Sequence, residues 1–265
     1  AGVVLERDTV TDQVVDLRVV RHGAAIYHAA VASGAPPADA LGARAASLDP
    51  HARDVRTVLY LVRHGEADSN RAGRIGGWSP APLTDLGHRQ AARAAAELAR
   101  RGPTRLFVSD IERARQTAAP IAAATGLAPT YDPGLRERSL GVLDGLAFDE
   151  ARARHPELWA RMIARDPDAI PEGGETADVV YARVTAAIAR LVRDHAGERI
   201  AVVSHGLALY HVFAYVCGLG SPSAPLPVFV LVDNASITHV EHRHHAGTAA
   251  ALPTPYPVGL QRTQP

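Results

Sequence analysis

The chain has 265 residues, with 28 basic and 28 acidic side chains, so its formal charge is zero. That balance excludes the sustained positive field of a general nucleic-acid or anionic-membrane binder. All the basic residues are arginine, and a lone Arg therefore carries little information without a motif around it. Cys217 is the sole cysteine, which excludes an intramolecular disulfide framework and a cysteine-rich zinc site. Residues 1–30 lack a basic start followed by an apolar run, and the most apolar stretches, such as 226–232, are too short to span a bilayer. The expectation is a soluble, cytoplasmic protein.

Three zones follow in chain order. Residues 1–54 contain one strand-like run, Val14 to Val20, and then a small-residue and proline stretch that reads as a linker. Residues 55–245 alternate short β-type runs with longer helical patterns. Thr57–Val62, Leu106–Val108 and Arg199–Ser204 are nearly continuous apolar runs, as buried strands require. Asp85–Arg101 and Arg113–Thr125 are Ala-rich helical patterns stopped by Gly102-Pro103 and Gly126. A helical segment spans Phe148–Arg165, and an amphipathic one spans Thr176–His195. Leu226–Val232 and Ile237–Glu241 flank Asp233-Asn234-Ala235 and suggest a hairpin. Residues 246–265 lack periodicity and read as a Pro/Ala-rich mobile tail. The pattern predicts a three-layer α/β/α sandwich on a mainly parallel mixed sheet, which binds ligands beyond the carboxyl ends of its strands.

Two of those strands each deliver a histidine there: Arg63-His64-Gly65-Glu66 after the first, Ser204-His205-Gly206 after the last. One such histidine is ordinarily a core or loop residue; two in the same context, one preceded by Arg, suggest a site. Two further segments join them. Ser109 to Ala118 runs from a strand end into a helix, and Leu135-Arg136-Glu137 is followed by Gly141 and Gly145.

Taken in order, these segments resemble the histidine phosphatase superfamily, the phosphoglycerate-mutase-like proteins of branch 1. The matches are RHGE at 63–66, S-x-x-x-R-A-x-x-T-A at 109–118, E-x-x-x-G-x-x-x-G at 137–145, VSHG at 203–206 and NAS at 234–236. Asn70, Gly73, Arg74, Pro82-Leu83-Thr84 and Gly87 also fit, and the resemblance covers roughly residues 57–242. It implies that His64 attacks phosphorus and forms a phosphohistidine. Arg63 and Arg113 present planar forks to the phosphate, which lysine cannot imitate. His205 stabilises the equatorial oxygens. Glu137 is the general acid, for which burial has to offset the nearby arginines. Asn70 is a neutral phosphate donor, and Gly206 lies in the phosphate cradle. No metal and no cofactor is required.

Several neighbours invite other readings. Arg115 lies about 200° around a helix from Arg113, so only one can face the pocket, and the motif selects Arg113. Glu66 reads as a structural hydrogen-bonding group. A second RHG at 21–23 lacks the downstream pattern and reads as an edge strand or coincidence. His242, His244 and His245 read as a solvated terminal segment. His211 is placed above the pocket, and the 71–82 loop with Trp78, the 139–150 segment and 173–176 form its specificity wall, with Glu175 equally a first-turn helix residue.

The expected function is hydrolysis of a small phosphorylated metabolite. The alternatives are a phosphoglycerate mutase and a catalytically inactive phosphate-binding module. The short stretch from Glu137 to His205 leaves water access open and favours hydrolysis. The partner is then a small-molecule phosphate ester, with no nucleic acid and no membrane. Residues 1–54 leave open an added strand, a homodimer contact or a disordered arm.

Overall fold

The computed structural model describes residues 4–7, 15–18, 55–164, 166, 168–218, 230 and 232–244. The second RHG at 21–23, the proline-rich linker, His245 and the tail at 246–265 lie outside the described residues. So does most of 226–232, the proposed first arm of a hairpin.

Strands β1 (Val4–Arg7) and β2 (Val15–Arg18) pair antiparallel with each other. The principal elements then follow as β3 (Val55–Arg63), α1 (Asp68–Arg71), α2 (Asp85–Arg101), β4 (Arg105–Val108), α3 (Glu112–Thr125), β5 (Pro129–Tyr131), α4 (Phe148–Arg154), α5 (Pro156–Ile163), α6 (Ala177–Asp194), β6 (Arg199–Ser204), α7 (Gly206–Val216) and β7 (Ile237–His244). The main sheet has the order β5-β4-β6-β3-β7. Its pairings are parallel except β3 with β7. This is the expected mainly parallel mixed sheet.

Alternation along β3 and β6 builds the two cores. Leu59, Leu61, Ile200 and Val202 face α6 and α7, packing on Val184, Ile188, Leu191, Leu209 and Phe213. Tyr60, Val62, Ala201 and Val203 face α2 and α3, packing on Ala94, Leu98, Ala118 and Ile121. Strands buried on both faces read as continuous apolar runs, which is why β3 and β6 were visible in the sequence.

Two expectations are corrected. Ile237–His244 pairs antiparallel with β3, and its register sets His242 opposite Thr57 and His244 opposite Val55. Both histidines therefore belong to a sheet strand rather than to an irregular terminal segment. The helix expected over Phe148–Arg165 breaks at His155 into α4 and α5, because Pro156 cannot continue the first helix but suits the first position of the second. Among the described residues, no helix is long and apolar enough to cross a membrane.

Helix α2 is locked to the turn after β3. Its N-cap Thr84 accepts the Gly87 amide at 3.0 Å and donates to Glu66 Oε1 at 2.7 Å. A Cβ on Gly65 would lie 2.5 Å from the Gly87 carbonyl oxygen, and one on Gly87 would lie 2.0 Å from that of Glu66. Backbone presses on backbone here, so neither glycine can carry a side chain without displacing the main chain it faces. Gly87→Ala is expected to cost about 1–3 kcal/mol, the usual range for overpacking. The readout is a lower urea midpoint; an unchanged midpoint refutes the interlock.

Candidate active site

Strand register creates the site. Pairing of β3 with β6 sets Arg63 opposite Ser204, so His64 and His205 leave the sheet side by side at its carboxyl edge. Their ring centroids are 5.1 Å apart, close to the ~4.8 Å spacing of neighbouring strands. On the other flank of β6, Val108 lies opposite Val203. That brings Ser109 beside His205, with Oγ 2.7 Å from Nε2.

His64 is fixed from both ends. Its Nδ1 lies 2.7 Å from the Gly65 carbonyl, a bond that only Nδ1–H can make. Arg113 Nε–H donates to His64 Nε2 at 3.2 Å, which requires a lone pair there. The ring is thus held with its basic nitrogen facing a guanidinium. Burial, then the charges of Arg113 and Arg63, push its pKa well below the usual histidine range. His205 is likewise lowered, by burial first and then by Arg113, His64 and Arg63.

Arg113 leaves the first turn of α3 and is only 2% exposed. Its Nη2 donates to the Gly77 carbonyl at 2.7 Å and its Nη1 to that of Ser79 at 3.4 Å. Burial lowers its pKa, while the negative charges of Glu137 and Asp144 oppose that shift. Arg63 donates through Nη1 to the Val232 carbonyl at 2.5 Å. Its pKa is also lowered by burial and supported by Glu137 and Asp233. An arginine stays charged under such shifts, so the centre holds two guanidinium cations against neutral imidazoles.

Glu137 stands among backbone amide donors. The residue is half-buried. Its carboxylate accepts the amides of Arg138 at 2.9 Å and of Leu207 and Ala208 at 3.1 Å each. It therefore caps the N-terminus of α7, where a negative charge is favoured. Gly206 lies at the same spot: a Cβ there would sit 3.7 Å from the Arg63 guanidinium carbon and 3.9 Å from Glu137 Oε2. Asn70 uses Oδ1 internally, accepting the Ala67 amide at 3.0 Å and Asn234 Nδ2 at 3.4 Å, so only its Nδ2 can donate to a ligand.

The remaining expectations sort clearly. Arg115 is exposed and lies over the Tyr131 ring at 4.7 Å, outside the clamp. Glu66 receives Thr84 Oγ1 and is structural. Glu175 lies outside the first turn of α6, which starts at Ala177. It binds Arg183 at 2.8 and 3.0 Å and the Ser139 amide at 3.0 Å. His211 is buried against Tyr181 and Tyr210. Burial, with Arg138 and Arg183 beside it and only Asp178 opposing, lowers its pKa to about 4.

Four supports have partners that the sequence did not reveal. Thr117 accepts the Gly65 amide at 3.0 Å and donates to the Arg113 carbonyl at 2.7 Å, tying nucleophile loop to clamp helix. Asn234 Nδ2 donates to the His64 carbonyl at 3.0 Å. Trp78 Nε1 and Arg183 Nη2 grip the Glu137 carbonyl at 2.7 and 3.2 Å. Thr117 and Asn234 lie inside quoted motifs, so their positions were legible even though their partners were not. Among the described residues, no cluster of three or more His, Cys, Asp or Glu is placed to hold a metal ion.

Known proteins resemble this chain in sequence and in fold. The profile of the histidine phosphatase superfamily (branch 1) matches residues 59–253. The chain is 40% identical over 151 residues to phosphoglycerate mutase-like protein 4 of Arabidopsis thaliana, covering 56% of this chain and 66% of that protein, just under two thirds of its length. It is 39% identical over 163 residues to probable phosphoglycerate mutase GpmB of Yersinia pestis (strain Pestoides F), covering 61% and 75%. Among solved structures, mycobacterial glucosyl-3-phosphoglycerate phosphatase in complex with VO3 superposes with a TM-score of 0.62 at 32% identity, covering 70% of this chain and 90% of that one. The alpha-ribazole phosphatase of Shigella flexneri gives 0.56 at 30% identity, covering 59% and 78%.

The buried histidines carry a pH signature. A histidine whose pKa is lowered on folding binds its proton more readily in the unfolded chain, so stability rises with pH in the window between the two values. For His211 that window runs from about 4 to 6.5. Urea unfolding is expected to show stability falling as pH drops from 6.5 to 5, with a shallower slope in His211→Gln. An identical slope in the variant refutes it.

Proposed function

Because the chain belongs to branch 1 of the histidine phosphatase superfamily, we propose that it hydrolyses phosphomonoesters of a small metabolite through a phosphohistidine on His64. The observation that carries this reading is the double constraint on His64: Nδ1–H bound to the Gly65 carbonyl and the Nε2 lone pair facing Arg113. An imidazole held in this way is a preformed nucleophile, and the cation beside it is what attracts a phosphate dianion.

In the first step His64 Nε2 forms a bond to phosphorus while the bond to the ester oxygen breaks. Arg63, Arg113 and His205 hold the three equatorial oxygens, and Asn70 adds Nδ2. Glu137 gives a proton to the departing alkoxide. In the second step the ionised Glu137, supported by its three amide donors, takes a proton from water. The oxygen of that water attacks phosphorus, the P–N bond breaks, and inorganic phosphate leaves with His64 restored.

Mutase chemistry uses the same groups but returns the phosphoryl group to a retained substrate, and the curated relatives carry mutase names. The names of the solved relatives favour hydrolysis. So does the short chain between Glu137 and His205. We assign catalysis to residues 55–245, with 1–54 and 246–265 as appendages, and the cytoplasm as its location.

A panel of phosphomonoesters assayed with excess chelator, with and without 2,3-bisphosphoglycerate, tests the reading. Metal-independent release of inorganic phosphate is expected, through a phosphoenzyme that survives base and decomposes in acid. Phosphate migration without release selects the mutase, and a base-labile, acid-stable label removes His64 as the nucleophile. Arg113→Ala is expected to lower turnover roughly 100- to 1,000-fold, as for loss of one preorganised donor to the transition state. Unchanged turnover takes Arg113 out of the clamp.

A further inference from the structure

Ser109 and His205 are both fully buried, and Oγ lies 2.7 Å from Nε2. One proton lies between these atoms, and either can donate it. The surroundings of Ser109 decide which. Its Oγ accepts the amide of Ile111 at 3.4 Å. Among the described residues no second acceptor lies within hydrogen-bond distance of that hydroxyl, so its proton goes to His205 Nε2. A neutral imidazole that accepts at Nε2 carries its own proton on Nδ1.

His205 Nδ1 is buried and has no hydrogen-bond partner among the described residues. Buried donors are almost always paired, and an exception calls for an explanation. The topology supplies one. β6 lies between β4, which carries Ser109, and β3, which carries His64. With Nε2 committed to the β4 side, the other side of the ring is left to the His64 and Arg63 side. The two histidines then share one tautomer for opposite purposes: His64 offers a lone pair, and His205 offers an N–H.

We propose that Ser109 is a positioning residue that fixes His205 as the Nδ1–H tautomer, so that it can only donate to the phosphoryl group and cannot present a second lone pair to it. The proposal rests on the phosphatase reading for its catalytic consequence; the tautomer itself does not depend on that reading. In the opposite tautomer, a lone pair on Nδ1 would face the anionic oxygens and repel them. The penalty would grow as charge builds on those oxygens in the transition state, so it would fall on turnover more than on binding.

Two measurements test it. Long-range proton–nitrogen correlation on the free wild-type protein reads the tautomer directly. Protonated Nδ1 with pyridine-like Nε2 on His205 is expected, and Nε2–H overturns the proposal. Ser109→Ala is expected to lower kcat roughly 10- to 100-fold, the scale of losing an outer partner that orients a histidine. KM should stay within about twofold, and Ser109→Thr, which keeps the hydroxyl, should recover most of the loss. An alanine variant with wild-type kcat overturns the proposal. Should the wild-type protein release no phosphate from any ester, the phosphatase reading fails by itself, and the nitrogen spectrum still decides the tautomer.

Discussion

The pairing of Arg63 with Ser204 across β3 and β6 decides where the chemistry sits. Parallel strands place successive side chains on alternate faces, so a slip of one residue would exchange the two cores and part the two histidines. The register is over-determined. Leu59 and Leu61 must meet α6 and α7 while Tyr60 and Val62 meet α2 and α3, and the His64 amide donates to the Ser204 carbonyl at 3.0 Å just past the last pair. Hydrophobic burial on both faces thus sets the geometry of a polar centre at one edge.

That centre is expensive. Arg63 Nε and His205 Nδ1 are buried donors with no hydrogen-bond partner among the described residues, and each such donor costs about 1–3 kcal/mol. Arg113 spends two of its donors on the carbonyls of Gly77 and Ser79 and a third on His64. The protein meets these costs because the sheet and four packed helices hold the edge in place. Loss of stability at a preorganised anion site is the common trade between stability and activity.

Much of this was legible in the residues. β6 and α2 were bounded correctly, because an apolar run buried on both faces and an Ala-rich pattern ending in Gly are strong local signals. Arg63, His64, Arg113 and His205 converge as the ordered motifs implied. What local pattern could not carry was partnership across the chain. Nothing near Glu137 announces that it caps a helix some seventy residues later. α7 and the three-residue β5 went unassigned: the first is apolar all round and lacks an amphipathic period, and the second is very short. Pro156 is a local signal for the break within an otherwise helical stretch.

Trp78 has a consequence of a different kind. Its indole is 42% exposed, lies under the Arg136 guanidinium at 4.7 Å and donates to the Glu137 carbonyl. The chain has two tryptophans, and the other, Trp159, lies on α5. Tryptophan emission therefore arises from the loop after α1 and from α5 and not from the sheet, and one of its two sources touches the residue assigned to proton transfer. The molecule carries its own optical reporter of events at the acid, with no dye or label attached.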